Sequence, residues 1–375
     1  MTAPLDHATR KWSVPAGVVG AGIAESDLGT APVITEALHH AIDSGLLTYL
    51  PDSADSAARE AFAGFAARRY GWDVDTDAVA TIPDVLTGLT LALTHLVRPG
   101  AVVLPTPAYA NFFPTLAGSG REVIEVPSRG RGHGFALDLD AIESALARGA
   151  AAVVLCHPHN PTGTVADRAT LVALAAMAEH HGARVFSDEI HAPVVYDGAR
   201  HVPFASVSTS AAHVAITATS ASKGWNVPGL KAAQLVLTNP ADRGVIAARA
   251  LAPVHAGSVL GAVAAAHAYS PDGERWLDAT VTTLEGNRDR LATALTTLPT
   301  RPLSVLPAAT YLAWLEIGCT PEPDSCGAAR LRRAGLATTP GEACGSGYAG
   351  FARFNFALLP DVLDVAIDRL LDALA

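Results

Sequence analysis

The chain has 375 residues, half of them hydrophobic and 17% charged, which is enough apolar material for a large core and argues against intrinsic disorder. Its formal net charge of −10 argues against nucleic acid or an anionic membrane surface as the main partner. Residues 1–12 show no long apolar run behind a basic start, and the uncharged stretch 250–271 is broken by Pro253, His255 and His267, so no secretory signal, no membrane span and a cytoplasmic location are expected.

In chain order, a helix is expected near residues 33–44, and a second opens at Pro83 and runs to Leu96. Short Val-rich runs at 101–104, 151–156, 184–187, 214–218 and 232–237 read as buried, mostly parallel strands. The amphipathic stretch 167–181 reads as the crossover helix of a βαβ unit. A buried helix is expected within 250–271 and a long helix from about 271. Strands follow near 311–317 and 353–357, and a last helix at 360–374. The pattern predicts an α/β protein. A large domain, 48–270, holds a mostly parallel sheet flanked by helices. A smaller α+β domain is built from both ends, 1–47 with 271–375.

Two features are set aside. Cys156, Cys319, Cys326 and Cys344 show no CxxC spacing and are expected to be free thiols, and no metal site is expected, His157 and His159 included. Gly345, Gly347 and Gly350 fit GxGxxG, but they precede a strand instead of following one, so they are expected to form a flexible loop and not a dinucleotide site.

Four segments carry candidate chemistry. Only three of the 26 basic residues are lysines, Lys11, Lys223 and Lys231. Lys223 follows a strand and the small hydroxyl residues Ser220 and Ser222, in apolar sequence with no obvious counter-charge. Burial would lower its pKa and make it a nucleophile toward carbonyls, which arginine cannot be. Asp188 ends a strand in Ser187-Asp-Glu-Ile-His191, where α/β sheets bind ligands. Asn160 lies in Asn160-Pro-Thr-Gly163, a tight turn after another strand. Val85 and Leu86 open the helix after Pro83-Asp84, whose free N–H groups suit a phosphate, with Ser220 and Lys231 as further phosphate ligands. Asp84 is unwelcome beside a phosphate and is expected to cap the helix and point away.

In this order, NPTG, SDEIH and SASK resemble the fold-type I pyridoxal-5′-phosphate (PLP) enzymes of the class I/II aminotransferase superfamily. Pro158-His-Asn-Pro161, Ser187-Asp-Glu-Ile-His191 and Ser222-Lys-Gly-Trp-Asn226 are similar to its cystathionine and cysteine-S-conjugate β-lyase branch, as are Lys11-Trp12 and Ala24-Glu-Ser-Asp27. The resemblance implies PLP as a Schiff base on Lys223, Asp188 on the ring nitrogen, Asn160 on the ring hydroxyl, and Tyr109 stacked on the ring. It implies Ser220, Ser222 and Lys231 at the phosphate, His191 in the shell around the ring, and Arg353 on the substrate α-carboxylate. Tyr49 would reach the phosphate from the partner subunit of a homodimer. The expected reaction is β-elimination from a cysteine S-conjugate to thiol, pyruvate and ammonia, with transamination, or decarboxylating oxidation of such a conjugate, as alternatives. Gly224-Trp225, Asp84 and the 339–347 run depart from the branch pattern near the expected substrate mouth. They point to a bulky conjugate of specialised metabolism, as in lincosamide antibiotic pathways.

Overall fold

The computed structural model describes residues 9–130, 135–249, 257–321 and 326–375. The chain enters through β1 (Val19–Gly20) and the helices Pro32–Asp43 and Asp52–Tyr70. A central sheet then takes up β2 (Val79–Ile82), β3 (Val102–Thr106), β4 (Val123–Pro127), β5 (Ala152–Cys156), β6 (Arg184–Asp188), β7 (Ala215–Thr219) and β8 (Ala233–Val236). Their spatial order is β2-β8-β7-β6-β5-β3-β4, and only β8 runs antiparallel to its neighbours. The sheet is mostly parallel, as expected.

The inner strands are mostly apolar on both faces because helices cover both. Alternate residues feed two separate clusters. Val153 and Leu155 of β5 join one, and Ala152, Val154 and Cys156 the other. The crossover helix Arg168–His180 starts where Asp167 accepts a 2.7 Å bond from the Thr170 amide.

The two ends of the chain meet. β1 pairs in parallel with β10 (Leu336–Ala337), and β11 (Thr339–Pro340), β12 (Phe351–Asn355) and β9 (Leu312–Glu316) form an antiparallel sheet. The helices Pro271–Leu295 and Pro360–Leu374 pack with this part. The buried helix expected within 250–271 is Val259–Ala268, with 250–256 outside the described residues. The helix expected to run to Leu96 is regular over Val85–Leu91 and then loosens into a π-turn over Ala92–Leu96.

Two expectations are corrected. Cys319 and Cys326 are joined as a disulfide with Cα atoms 4.0 Å apart, while Cys156 and Cys344 are free and buried. Gly327, in the left-handed region at φ +48°, donates to the Gly318 carbonyl at 3.0 Å beside the bridge. The GxGxxG segment is also anchored: the Ser346 amide and hydroxyl bond to the Glu125 carboxylate on β4, and the Cys344 carbonyl accepts from the Ala108 amide at 2.7 Å.

Candidate active site

Strands β2, β3, β5, β6 and β7 all end on one edge of the central sheet, and β8 begins there, so the connections on that edge converge. They enclose a cavity of about 450 Å³. The turn after β2 brings Asp84, Val85 and Leu86 to its wall, the segment after β3 brings Tyr109, and the turn after β5 brings Asn160. The end of β6 brings Asp188 and His191, the loop after β7 brings Ser222 and Lys223, and the approach to β8 brings Lys231. Arg353 enters from β12 in the small sheet.

Lys223 is half-buried on the cavity wall, and its Nζ donates to the Ala24 carbonyl at 2.8 Å. Burial, with Arg353 adding to it, lowers its pKa to about 8 against the pull of Glu25 and Asp188. Asp188 is pushed up to about 7, mainly by burial. The Ile190 amide at 3.1 Å and the nearby Lys223 oppose that rise. Burial, then Lys223 and Arg353, hold His191 well below its ordinary pKa, so it is neutral. Its Nδ1 is buried with no partner among the described residues.

Arg353 is 4% exposed. It donates to the Asn160 Oδ1 at 2.9 Å, to the Gly22 carbonyl at 2.7 Å and to the Thr339 hydroxyl at 3.0 Å. Its Nε has no partner, and no carboxylate among the described residues forms an ion pair with it. A buried guanidinium without an anion costs several kcal/mol, so this position is built to receive one.

The other expected residues take different positions. Ser220 lies one layer behind the wall: its hydroxyl bonds to the Ala232 carbonyl at 2.7 Å and to the Ser222 hydroxyl at 2.6 Å. Tyr49 is 96% exposed and does not line the cavity of its own chain. Asp84 caps its helix by accepting from the Thr87 amide at 2.8 Å. It does not point away, because its second oxygen meets Lys231 Nζ at 2.9 Å on the cavity wall. Trp225 corrects the expectation for the substrate mouth. It is fully buried against Phe65 and Tyr269, with its Nε1 on the Gly273 carbonyl at 2.8 Å. His157 and His159 are spent on the Val202 carbonyl and the Thr162 hydroxyl. Gly163 must be glycine, since φ is +71° and a Cβ would lie 2.6 Å from Pro307 and 2.7 Å from the Ala309 carbonyl.

The N-terminal strap contributes cavity residues for which no role is expected from the sequence, Arg10, Ile23, Ala24 and Glu25. It is held by Lys11, whose buried ammonium bonds to the Ala357 carbonyl at 2.7 Å and Asp27 at 3.1 Å. Asn226, at φ +57°, pairs its amide with both backbone groups of Ser26 at 2.8 and 3.0 Å. The Ala24-Glu-Ser-Asp27 motif was the available signal.

The cavity matches one cofactor. A half-buried, partly neutral lysine, a carboxylate opposite it, and cations at two separate places, Lys231 and Arg353, suit an aldehyde, a ring nitrogen, a phosphate and an amino-acid carboxylate. The profile for aminotransferase class I and II matches residues 17–370. The chain belongs to this family. Its members are PLP-dependent enzymes of fold type I, and this chain is one of them. It is 37% identical to the cystathionine beta-lyase of Corynebacterium glutamicum over 370 residues, 98% of this chain and 96% of that one. It is 30% identical to the cystathionine beta-lyase PatB of Bacillus subtilis over 356 residues, 94% and 92% of the two chains. A solved Corynebacterium diphtheriae structure, described as a candidate PLP-dependent beta-cystathionase, superposes with a TM-score of 0.87 at 36% identity, covering 98% of this chain and 95% of the other. No helix among the described residues is long and apolar enough to cross a membrane.

Proposed function

We propose that this protein is a C–S β-lyase that splits a cysteine S-conjugate, with one water, into a thiol, pyruvate and ammonium. The observation that carries the reading is the buried, anion-free guanidinium of Arg353 in the same cavity as the low-pKa amine of Lys223. One binds an amino acid by its carboxylate and the other is poised to take a proton. The similarity to cystathionine beta-lyases favours elimination over amino transfer.

PLP supplies the electron sink at the substrate Cα when it is bound. Lys223 would hold it and would take the substrate Cα proton at Nζ. Asp188 keeps a positive charge on the ring nitrogen, and Asn160, whose Oδ1 already accepts from Arg353, directs its NH₂ to the ring hydroxyl. Tyr109 would offer its ring to the pyridine, and neutral His191 lines the same wall. Ser222 and Lys231 hold the phosphate with the amides of Val85 and Leu86, and Ser220 orients Ser222. Tyr49 of the partner subunit completes the phosphate site in a cytoplasmic homodimer, a reading supported by its near-complete exposure in one chain. Residues 48–270 act as the large domain, and 1–47 with 271–375 as the small one that carries Arg353. The open mouth, with Arg10 and Glu25 of opposite charge, suits the polar substituent of a specialised conjugate.

Arg353→Lys is expected to raise KM for the conjugate by about 10- to 100-fold while changing kcat less, because a point charge replaces a fork that also steadies Asn160. Steady-state kinetics with KM unchanged would place the carboxylate elsewhere.

Product analysis tests the function. PLP-loaded protein is incubated with cystathionine and a panel of cysteine S-conjugates without any keto acid. Pyruvate and free thiol in equal amounts support the lyase. Conversion only after a keto acid is added would make the protein an aminotransferase, the reading the family profile also allows. An S-linked aldehyde lacking the carboxylate would mark decarboxylating oxidation.

A further inference from the structure

The cation expected at the phosphate is already engaged. Lys231 Nζ lies 2.9 Å from one oxygen of Asp84, and both residues line the cavity. The Lys231 ammonium stays partly in solvent, 59% exposed, but the backbone that carries it is fixed at the cavity wall, and Asp84 is tied to its helix. Lys231 sits in the left-handed region at φ +53°, its carbonyl accepts from the Ser258 amide at 3.2 Å, and the helix Val259–Ala268 presses so close that a Cβ on Gly261 would lie 2.3 Å from the Leu230 carbonyl. The other oxygen of Asp84 is bound by the Thr87 amide at 2.8 Å and the Thr87 hydroxyl at 2.9 Å, so swinging away would uncap the helix. Burial works to raise the Asp84 pKa, but the Thr87 amide and Lys231 outweigh it and hold the carboxyl below its usual range. It is an anion at neutral pH.

We propose that Asp84 is a resident counter-anion that competes with the cofactor's phosphate for Lys231, so that PLP is held exchangeably. A phosphate carries close to two negative charges at pH 7, and a fixed carboxylate on the same lysine both weakens the attraction and repels the entering group. The pyridine ring and the lysine chemistry are untouched. Asp84 therefore acts on cofactor retention and not on the reaction itself, and occupancy follows the supply of free PLP. The proposal rests on reading Lys231 as a phosphate ligand, and its test separates the two.

Apoprotein is titrated with PLP and, separately, with pyridoxal lacking the phosphate, following cofactor absorbance for affinity and stopped-flow exchange for release. The chains compared are the natural one, Asp84→Asn and Lys231→Ala. Asparagine still caps the helix, and melting curves confirm that each variant is folded. Asp84→Asn is expected to bind PLP about 10-fold or more tightly, mainly through slower release, with pyridoxal affinity unchanged. Lys231→Ala is expected to weaken PLP. A Lys231→Ala chain with unaltered PLP affinity removes the phosphate reading, and this proposal with it. If Lys231→Ala weakens PLP but Asp84→Asn leaves it equal or weaker, or tightens pyridoxal as much as PLP, Asp84 is a helix cap only and the proposal is overturned.

Discussion

Lys223→Ala is expected to lower kcat/KM by about 10⁴-fold or more, the combined loss of a covalent anchor and a general base. The expectation follows from where the amine sits. An ordinary lysine is almost wholly protonated at neutral pH, whereas burial and the neighbouring Arg353 bring Lys223 to about 8. Removing Lys223 leaves the proposed phosphate contacts, Ser222, Lys231 and the amides of Val85 and Leu86, in place, so PLP should still bind, without a covalent link. Borohydride reduction followed by intact mass measurement checks this directly: the natural chain gains a pyridoxyl group and the variant does not. A variant that kept more than a hundredth of the activity would assign the chemistry to another group.

Asp188→Asn carries the second large effect, and its sign differs between two measurements. Activity should fall by about 10²- to 10³-fold, since asparagine cannot stabilise a charged ring nitrogen. The apoprotein should become more stable. In the folded apo state Asp188 is raised from 3.8 to about 7, mainly by burial, while the unfolded chain ionises near the ordinary value. Between those two pH values the native state holds the extra proton, so this group's contribution declines as pH rises from about 4 through 7. Near neutral pH and above, the cost is of the order of a few kcal/mol, and asparagine removes it. Apo melting curves from pH 5 to 8 should show the natural chain losing stability relative to Asp188→Asn. Parallel curves would mean that Asp188 is already ionised without cofactor.

The buried middle of the sheet was legible. β5 is an uninterrupted apolar run, and β6, β7 and β8 are fully or almost fully buried with some polar residues; Asn160 follows β5, Asp188 ends β6 and Lys223 follows β7. β2 and β4 were not seen because they are the two edges. β4 is only partly covered and carries Glu125, and β2 includes Thr81, so neither shows a clear apolar run. The helix Asp52–Tyr70 hides its buried face in Ala58 and Ala66 beside Phe62 and Phe65, a pattern that alanine-rich sequence masks. Within the site, side-chain types were readable and directions were not. Trp225 follows the reactive lysine yet turns into the core, and Asp84 turns in where charge logic would send it out. The Ala24 carbonyl, which accepts from both Lys223 and Tyr311, is backbone, and no residue type announces it.

The strap explains one more property. Arg353 and Asn355 reach back to the Gly22, Ile23 and Glu25 carbonyls, contacts that span 330 to 332 residues of sequence. The pocket therefore has no floor until strand β12 has been synthesised and has found the strap waiting at the start of the chain. On the proposed role of Arg353, a growing polypeptide that already displays Lys223 and Asp188 has nowhere to seat an amino acid.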